Sequence, residues 1–108
     1  MFIRAETKDG VLRLYIEGEL TIYTAVECKA QLQPYLAQPA ELEVDLSAVS
    51  EVDSAGLQLL ILLKRETSHV GGSLRLVRHS RMVIEAFELC DLSSYFSLPL
   101  VFSKTSTN

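Results

Sequence analysis

The chain has 108 residues, 48% of them apolar, and 10 Lys+Arg against 14 Asp+Glu give a formal net charge of −4. That length fits one domain, and the apolar share excludes a disordered chain, which cannot bury enough surface to order itself. The acidic balance and the lack of a basic run exclude nucleic-acid binding driven by charge, and equally a polybasic anchor on an anionic membrane.

Ile3, Ala5 and Thr7 alternate with charged residues and predict a first strand. Lys8-Asp9-Gly10 is a turn signal, and Leu12, Leu14 and Ile16 alternate with Arg13, Tyr15 and Glu17. A period of two is that of a strand with one buried face, so the pair reads as a β-hairpin. Gly18 to Tyr23 reads as a connector. Thr24 followed by Glu27 matches a capping box, in which each side chain bonds the other's orphan backbone N–H. Ala25, Cys28, Leu32, Tyr35 and Leu36 then predict a helix over about 24–37, kinked or ended by Pro34 and stopped by Pro39.

Leu42, Val44 and Leu46 predict a third strand, and Ser47 to Asp53 reads as a polar loop. The leucine-dense stretch from Leu57 to Leu63 predicts a buried helix over about 54–68, with Ser54 at or next to its N-cap and Gly71-Gly72 beyond its end. Leu74 and Leu76 predict a fourth strand. Ser80 caps a helix carrying Val83, Ile84, Phe87 and Leu89. Asp91 to Ser97 reads as a short turn or helix, Leu98 to Phe102 as a last strand, and 103–108 as a polar tail. Strand–helix–strand units imply parallel neighbours. The alternation within each strand predicts helices mainly on one face of a mixed sheet of four to five strands, the other face being polar. The expected organisation is one α/β domain over 1–108, with its core at about 2–102.

The longest apolar run, Leu59–Leu63, is far shorter than the roughly 20 residues a bilayer-spanning helix needs. Arg4, Glu6, Lys8 and Asp9 leave no apolar segment for a signal peptide. The expected location is the cytoplasm, with no direct membrane insertion. Cys28 and Cys90 are isolated and read as buried small hydrophobes. His69 and His79 lack metal-ligand spacing and read as surface markers of element ends. No Gly-rich phosphate loop is present, and Val52-Asp53-Ser54-Ala55-Gly56 has Val where a nucleophile elbow needs Gly. No enzyme and no cofactor is therefore expected. Taken by itself, Ser54 is a hydroxyl at a helix N-terminus, where such residues cap. Gly56 in the first turn is unfavourable for a helix by roughly 1 kcal/mol against Ala, which signals a close approach of backbone.

Asp45-Leu46-Ser47, a short loop and Asp53-Ser54-Ala55-Gly56-Leu57 resemble the signature of the STAS domain family, found in sulphate transporters and anti-sigma factor antagonists. Gly18-Glu19-Leu20-Thr21 followed by Thr24-Ala25 resembles a second element of that family, in which an acidic residue stands where this chain has Thr21. The resemblance spans about 2–102. It implies that Ser54 is phosphorylated by an anti-sigma factor that is also a serine kinase, and that the unphosphorylated form binds this partner. It further implies a phosphatase, and a partner-binding surface made by Glu19, Thr21, Tyr23, Thr24, Asp53, Ala55 and Gly56. Related STAS proteins serve other signalling kinases. Another relative is a subunit of a lipid-asymmetry ABC transporter that docks on its ABC ATPase without phosphorylation, and this remains the alternative. Oligomeric state is left open.

Overall fold

The computed structural model describes residues 2–37 and 40–91. The expected turn after Asp91, the expected last strand Leu98–Phe102 and Pro39 lie outside these residues. The elements in chain order are β1 (Phe2–Lys8), β2 (Val11–Leu20), α1 (Ala25–Leu36), β3 (Glu41–Val52), α2 (Ser54–His69), β4 (Ser73–Val77) and α3 (Arg81–Leu89). The sheet order is β1-β2-β3-β4. β1 pairs antiparallel with β2, while β2–β3 and β3–β4 are parallel. The expected mixed sheet, hairpin plus parallel strands, is what the chain forms.

Lys8 pairs with Val11, so the hairpin loop is the two residues Asp9 and Gly10. Their φ values of 53° and 81° are both left-handed, as the tight turn that follows the twist of a hairpin requires.

The strand periods sort the two faces. Leu14 and Ile16 of β2, Leu42, Val44 and Leu46 of β3, and Leu76 of β4 point one way and are buried. They form a single apolar cluster with Cys28, Leu32 and Leu36 of α1, Leu57, Leu59, Leu60 and Leu63 of α2, and Val83 and Phe87 of α3. The other face is polar. There Glu43 accepts from Arg13 at 2.9 Å and also pairs with Arg75 across three strands. Arg13 first, with Arg75 adding to it, holds the Glu43 carboxyl below its usual range.

Several expectations need correction. Ser47 to Asp53 is not a loop, because β3 continues to Val52. The alternation that defines a strand is broken there by two register shifts. Tyr15 and Glu17 pair with Asp45 and Ala48, and Gly18 and Glu19 pair with Val49 and Glu51, so β3 spends one extra residue at each shift. Those bulges keep Val49 buried and set Val52 opposite Leu20. Likewise β2 runs through the expected connector to Leu20.

The capping box at Thr24 does not form. Thr24 is the N-cap but has helical dihedrals and no side-chain cap bond, and its hydroxyl is engaged elsewhere, as described below. Pro34 neither interrupts nor immediately ends α1, which runs through it to Leu36. In α3, Val83 and Phe87 form the buried stripe, and Leu89, two residues on, lies nearly opposite on the helix and is 88% exposed. Cys90 follows the last helical residue and is exposed, so the expectation of a buried thiol holds for Cys28 alone. Burial pushes the Cys28 thiol up to about 12. His69 is exposed as expected. His79 is half-buried rather than exposed. Its ring meets Phe87 edge-on at 6.1 Å, and its Nε2 is buried without a hydrogen-bond partner.

Candidate functional site

The Asp53-Ser54-Ala55-Gly56 segment lies where the C-terminal ends of β2 and β3 meet the first turn of α2. Leu20 and Val52 pair at the end of the ladder, and the Asp53 amide donates to the Leu20 carbonyl at 3.3 Å. Asp53 has extended dihedrals and is the N-cap of α2. One of its carboxylate oxygens, Oδ1, accepts from the Gly56 amide at 3.0 Å. The other, Oδ2, accepts from the Ile22 amide at 3.0 Å, 31 residues away in sequence. One side chain therefore caps a helix and fastens the β2–α1 turn to it. The Ile22 amide first, then the Gly56 amide, hold the Asp53 carboxyl below its usual range, because both bonds favour the charged form.

Gly56 explains why this junction is so close. A Cβ there would stand 2.0 Å from the Leu20 carbonyl oxygen and 3.0 Å from a Val52 methyl. Only a residue without a side chain lets α2 start against the end of β2.

The turn from Thr21 to Thr24 closes on itself. The Thr21 carbonyl accepts from the Thr24 amide at 3.0 Å and the Ala25 amide at 2.8 Å. The Thr24 hydroxyl accepts from the Thr21 amide at 3.0 Å and donates to the Glu19 carbonyl at 2.8 Å. That engagement is why it does not cap α1. Thr21 is 7% exposed, and its hydroxyl accepts from the Tyr23 amide at 3.3 Å. It shapes the turn from inside and exposes little surface of its own.

The expected site residues are thus brought together, with unequal exposure. Glu19, Tyr23 and Ser54 are exposed, Thr24, Asp53 and Ala55 are half-buried, and Thr21 and Gly56 are buried. Gly56 serves by letting the backbones approach. Ser54 is the first helical residue of α2, and no acidic side chain lies in that first turn. A phosphoryl group on Ser54 would stand at the positive end of the helix dipole.

Sequence reasoning missed the apolar surface beside the site. Ile22 is 66% and Val26 83% exposed, flanking Tyr23 at 90%. Val26 lies off the Cys28–Leu32–Leu36 stripe of α1, and that offset was the available signal. Val26 leads into a groove of about 400 Å3 between α1 and α2 that also takes in Ala55, Leu59 and Leu62. Among the described residues, no three His, Cys, Asp or Glu side chains are grouped to hold a metal ion.

Comparison with known proteins bears on the whole chain. The family model for the STAS domain matches residues 2–107. Over 96 residues the chain is 30% identical to the anti-sigma-B factor antagonist of Bacillus subtilis (strain 168), covering 89% of this chain and 88% of that protein. A crystal structure of an anti-sigma factor antagonist from Mycobacterium paratuberculosis superposes with a TM-score of 0.79 at 26% identity, covering 90% of this chain and 83% of that one. The anti-sigma factor antagonist SpoIIAA, solved in its unphosphorylated form, has the same fold, with a TM-score of 0.69 at 22% identity and coverage of 87% and 84%.

Proposed function

The chain belongs to the STAS domain family, and from that membership we propose that it is a phosphorylation-switched interaction module of the anti-sigma factor antagonist type. In its unphosphorylated form it binds an anti-sigma factor that is also a serine kinase. The kinase transfers the γ-phosphoryl group of ATP to the Ser54 oxygen; the hydroxyl proton is released and ADP leaves. The modified protein dissociates, and a phosphatase hydrolyses the ester to restore the first state. The protein itself performs no chemistry.

The observation that carries this reading is the placement of Ser54. It is exposed, it is the first residue of α2, and it follows a carboxylate that bridges two segments. The likeness to named anti-sigma factor antagonists supports the same reading. The added group carries about −1.5 to −2 charges. It is tolerated locally by the helix N-terminus, so the fold is kept, while any partner surface packed on Ser54 meets both its bulk and its charge. Thr21, where the family carries an acid, is buried. A hydroxyl there keeps the turn closed without a second carboxylate beside the phosphorylation site.

The test is a pair of substitutions assayed against the anti-sigma kinase. Ser54→Ala retains binding and accepts no phosphate by intact-mass measurement, whereas Ser54→Asp loses binding at least tenfold, about 1.4 kcal/mol. Equal binding by the two variants removes the switch.

A further inference from the structure

We infer that the groove between α1 and α2 seats an acidic amphipathic helix of the partner. This inference rests on the reading of the chain as a phosphorylation-switched interaction module, and it adds the chemistry of what docks.

The groove is lined by apolar Val26, Ala55, Leu59 and Leu62 and has a volume of about 400 Å3. Its shape follows from the fold. Two neighbouring helices lie over one face of the sheet, and each turns its buried stripe inward, to Cys28 and Leu32 on α1 and to Leu60 and Leu63 on α2. The shoulders between those stripes are left open. In the β2–α1 turn, a few residues before Val26, Ile22 and Tyr23 are also exposed. A groove between two helices takes a third helix with apolar residues at i, i+3 or i+4, and i+7.

Charge names the helix. The chain is net negative at −4, yet the charged residues lining the groove are both basic, Lys29 on the α1 wall and Arg65 on the α2 wall. Lys29 pairs with Glu66 at 3.3 Å and donates to Gln33 at 2.8 Å, and the ion pair is partly solvent-accessible on both sides. Such a pair exchanges partners at little cost. A docked helix with acidic residues flanking its apolar stripe meets a cation on each side, whereas a basic helix meets two like charges.

The same placement accounts for the switch. Ala55 lines the groove and Ser54 is the residue before it. A phosphoryl group on Ser54 sets a dianion at the end of a groove whose occupant is itself acidic. Repulsion then acts on the docked helix directly, with no movement in the chain.

A second copy is the competing occupant, because α3 exposes Met82 and Leu89 with Glu85 between them. The experiment separates the two. A phage-displayed library of helical peptides of about 15 residues, apolar at i, i+4 and i+7 and random among Glu, Gln and Lys at flanking positions, is selected on the whole unphosphorylated chain. It is selected in parallel on the Lys29→Glu/Arg65→Glu double variant. The expected result is enrichment of Glu-flanked peptides on the first and of Lys-flanked peptides on the second. The best Glu-flanked peptide should bind the double variant about tenfold more weakly, and its binding should weaken as salt is raised. Arg65→Gln gives an intermediate loss, and unchanged circular dichroism verifies each fold. The same flanks enriched on both proteins, no enrichment, or binding that survives Leu62→Lys would overturn the inference. So would a concentration-dependent dimer in sedimentation that Leu62→Lys abolishes, since the groove would then belong to a second copy. No kinase enters these measurements and Ser54 is unmodified throughout, so their failure is distinct from failure of the Ser54→Ala and Ser54→Asp comparison.

Discussion

Gly56→Ala is the substitution whose effect follows most directly from the geometry. The new Cβ would stand 2.0 Å from the Leu20 carbonyl oxygen, where ordinary contact begins at 3.4 Å, so α2 and the end of β2 must part by about 1.4 Å. The obstacle is backbone, and that carbonyl also accepts from the Asp53 amide, so it cannot swing aside freely. Overpacking costs about 1–3 kcal/mol, and the upper end, about 3 kcal/mol, applies where the obstacle is the main chain. Ala in place of Gly in a helix returns about 1 kcal/mol. The net loss is about 2 kcal/mol, which for a domain of this size lowers Tm by roughly 8 °C at about 4 °C per kcal/mol. Differential scanning calorimetry of the two proteins measures it. Gly10→Ala serves as comparison, since nothing lies within 4 Å of a Cβ there and only the left-handed φ of +81° opposes it. Its cost is about 1–2 kcal/mol. The decisive second reading is partner affinity, which Gly56→Ala lowers because the clash lies at the junction that holds Ser54, and which Gly10→Ala leaves alone. A Gly56→Ala protein with wild-type Tm would mean that the end of β2 yields without cost, and the account of the close approach would be wrong.

Two further outcomes concern groups outside the site. Burial holds the His79 imidazole below its ordinary value of 6.5, with Asp45 pulling weakly the other way, so the unfolded chain takes up this proton before the folded one. The contribution is full above pH 6.5 and is lost as the pH falls below it; chemical denaturation across that window shows a decline that His79→Gln flattens, and equal slopes would contradict it. Cys90 is exposed, while Cys28 is buried and its thiol is pushed up to about 12. A thiol reagent at neutral pH therefore labels Cys90 promptly and Cys28 only on unfolding, and prompt double labelling would contradict the burial.

Much of the architecture was legible because it rests on periodicity. Leu12, Leu14 and Ile16, then Leu42, Val44 and Leu46, announce their strands by alternation, and all but the half-buried Leu12 are buried. What was illegible lies where an interaction between distant segments overrides a local pattern. Ser47 to Val52 looks like a loop because two bulges put the inward residues three apart, at Leu46, Val49 and Val52, and only the pairing with β2 makes that stretch a strand. Thr24 looks like half of a capping box, yet the Thr21 amide and the Glu19 carbonyl compete for its hydroxyl and win. In the site, Asp53 and Ser54 were found as a motif, and Gly56 was marked as a close approach. That Asp53 reaches across to Ile22 was not legible, because nothing local ties two residues 31 positions apart.

The bracket formed by Asp53 bears on the thermodynamics of recognition. A surface turn that must be ordered at the moment of association charges its lost freedom to the affinity, at about 1–2 kcal/mol per backbone residue fixed. Here the Ile22 amide is already held by a carboxylate anchored to α2, and the Thr21–Thr24 turn is closed by its own hydroxyls. That entropy is spent during folding, so under the proposed function a partner docking at Tyr23 and Ser54 would meet a preformed template. Association at such a template is expected to carry a heat-capacity change set by the apolar area it covers, without the added signature of coupled folding.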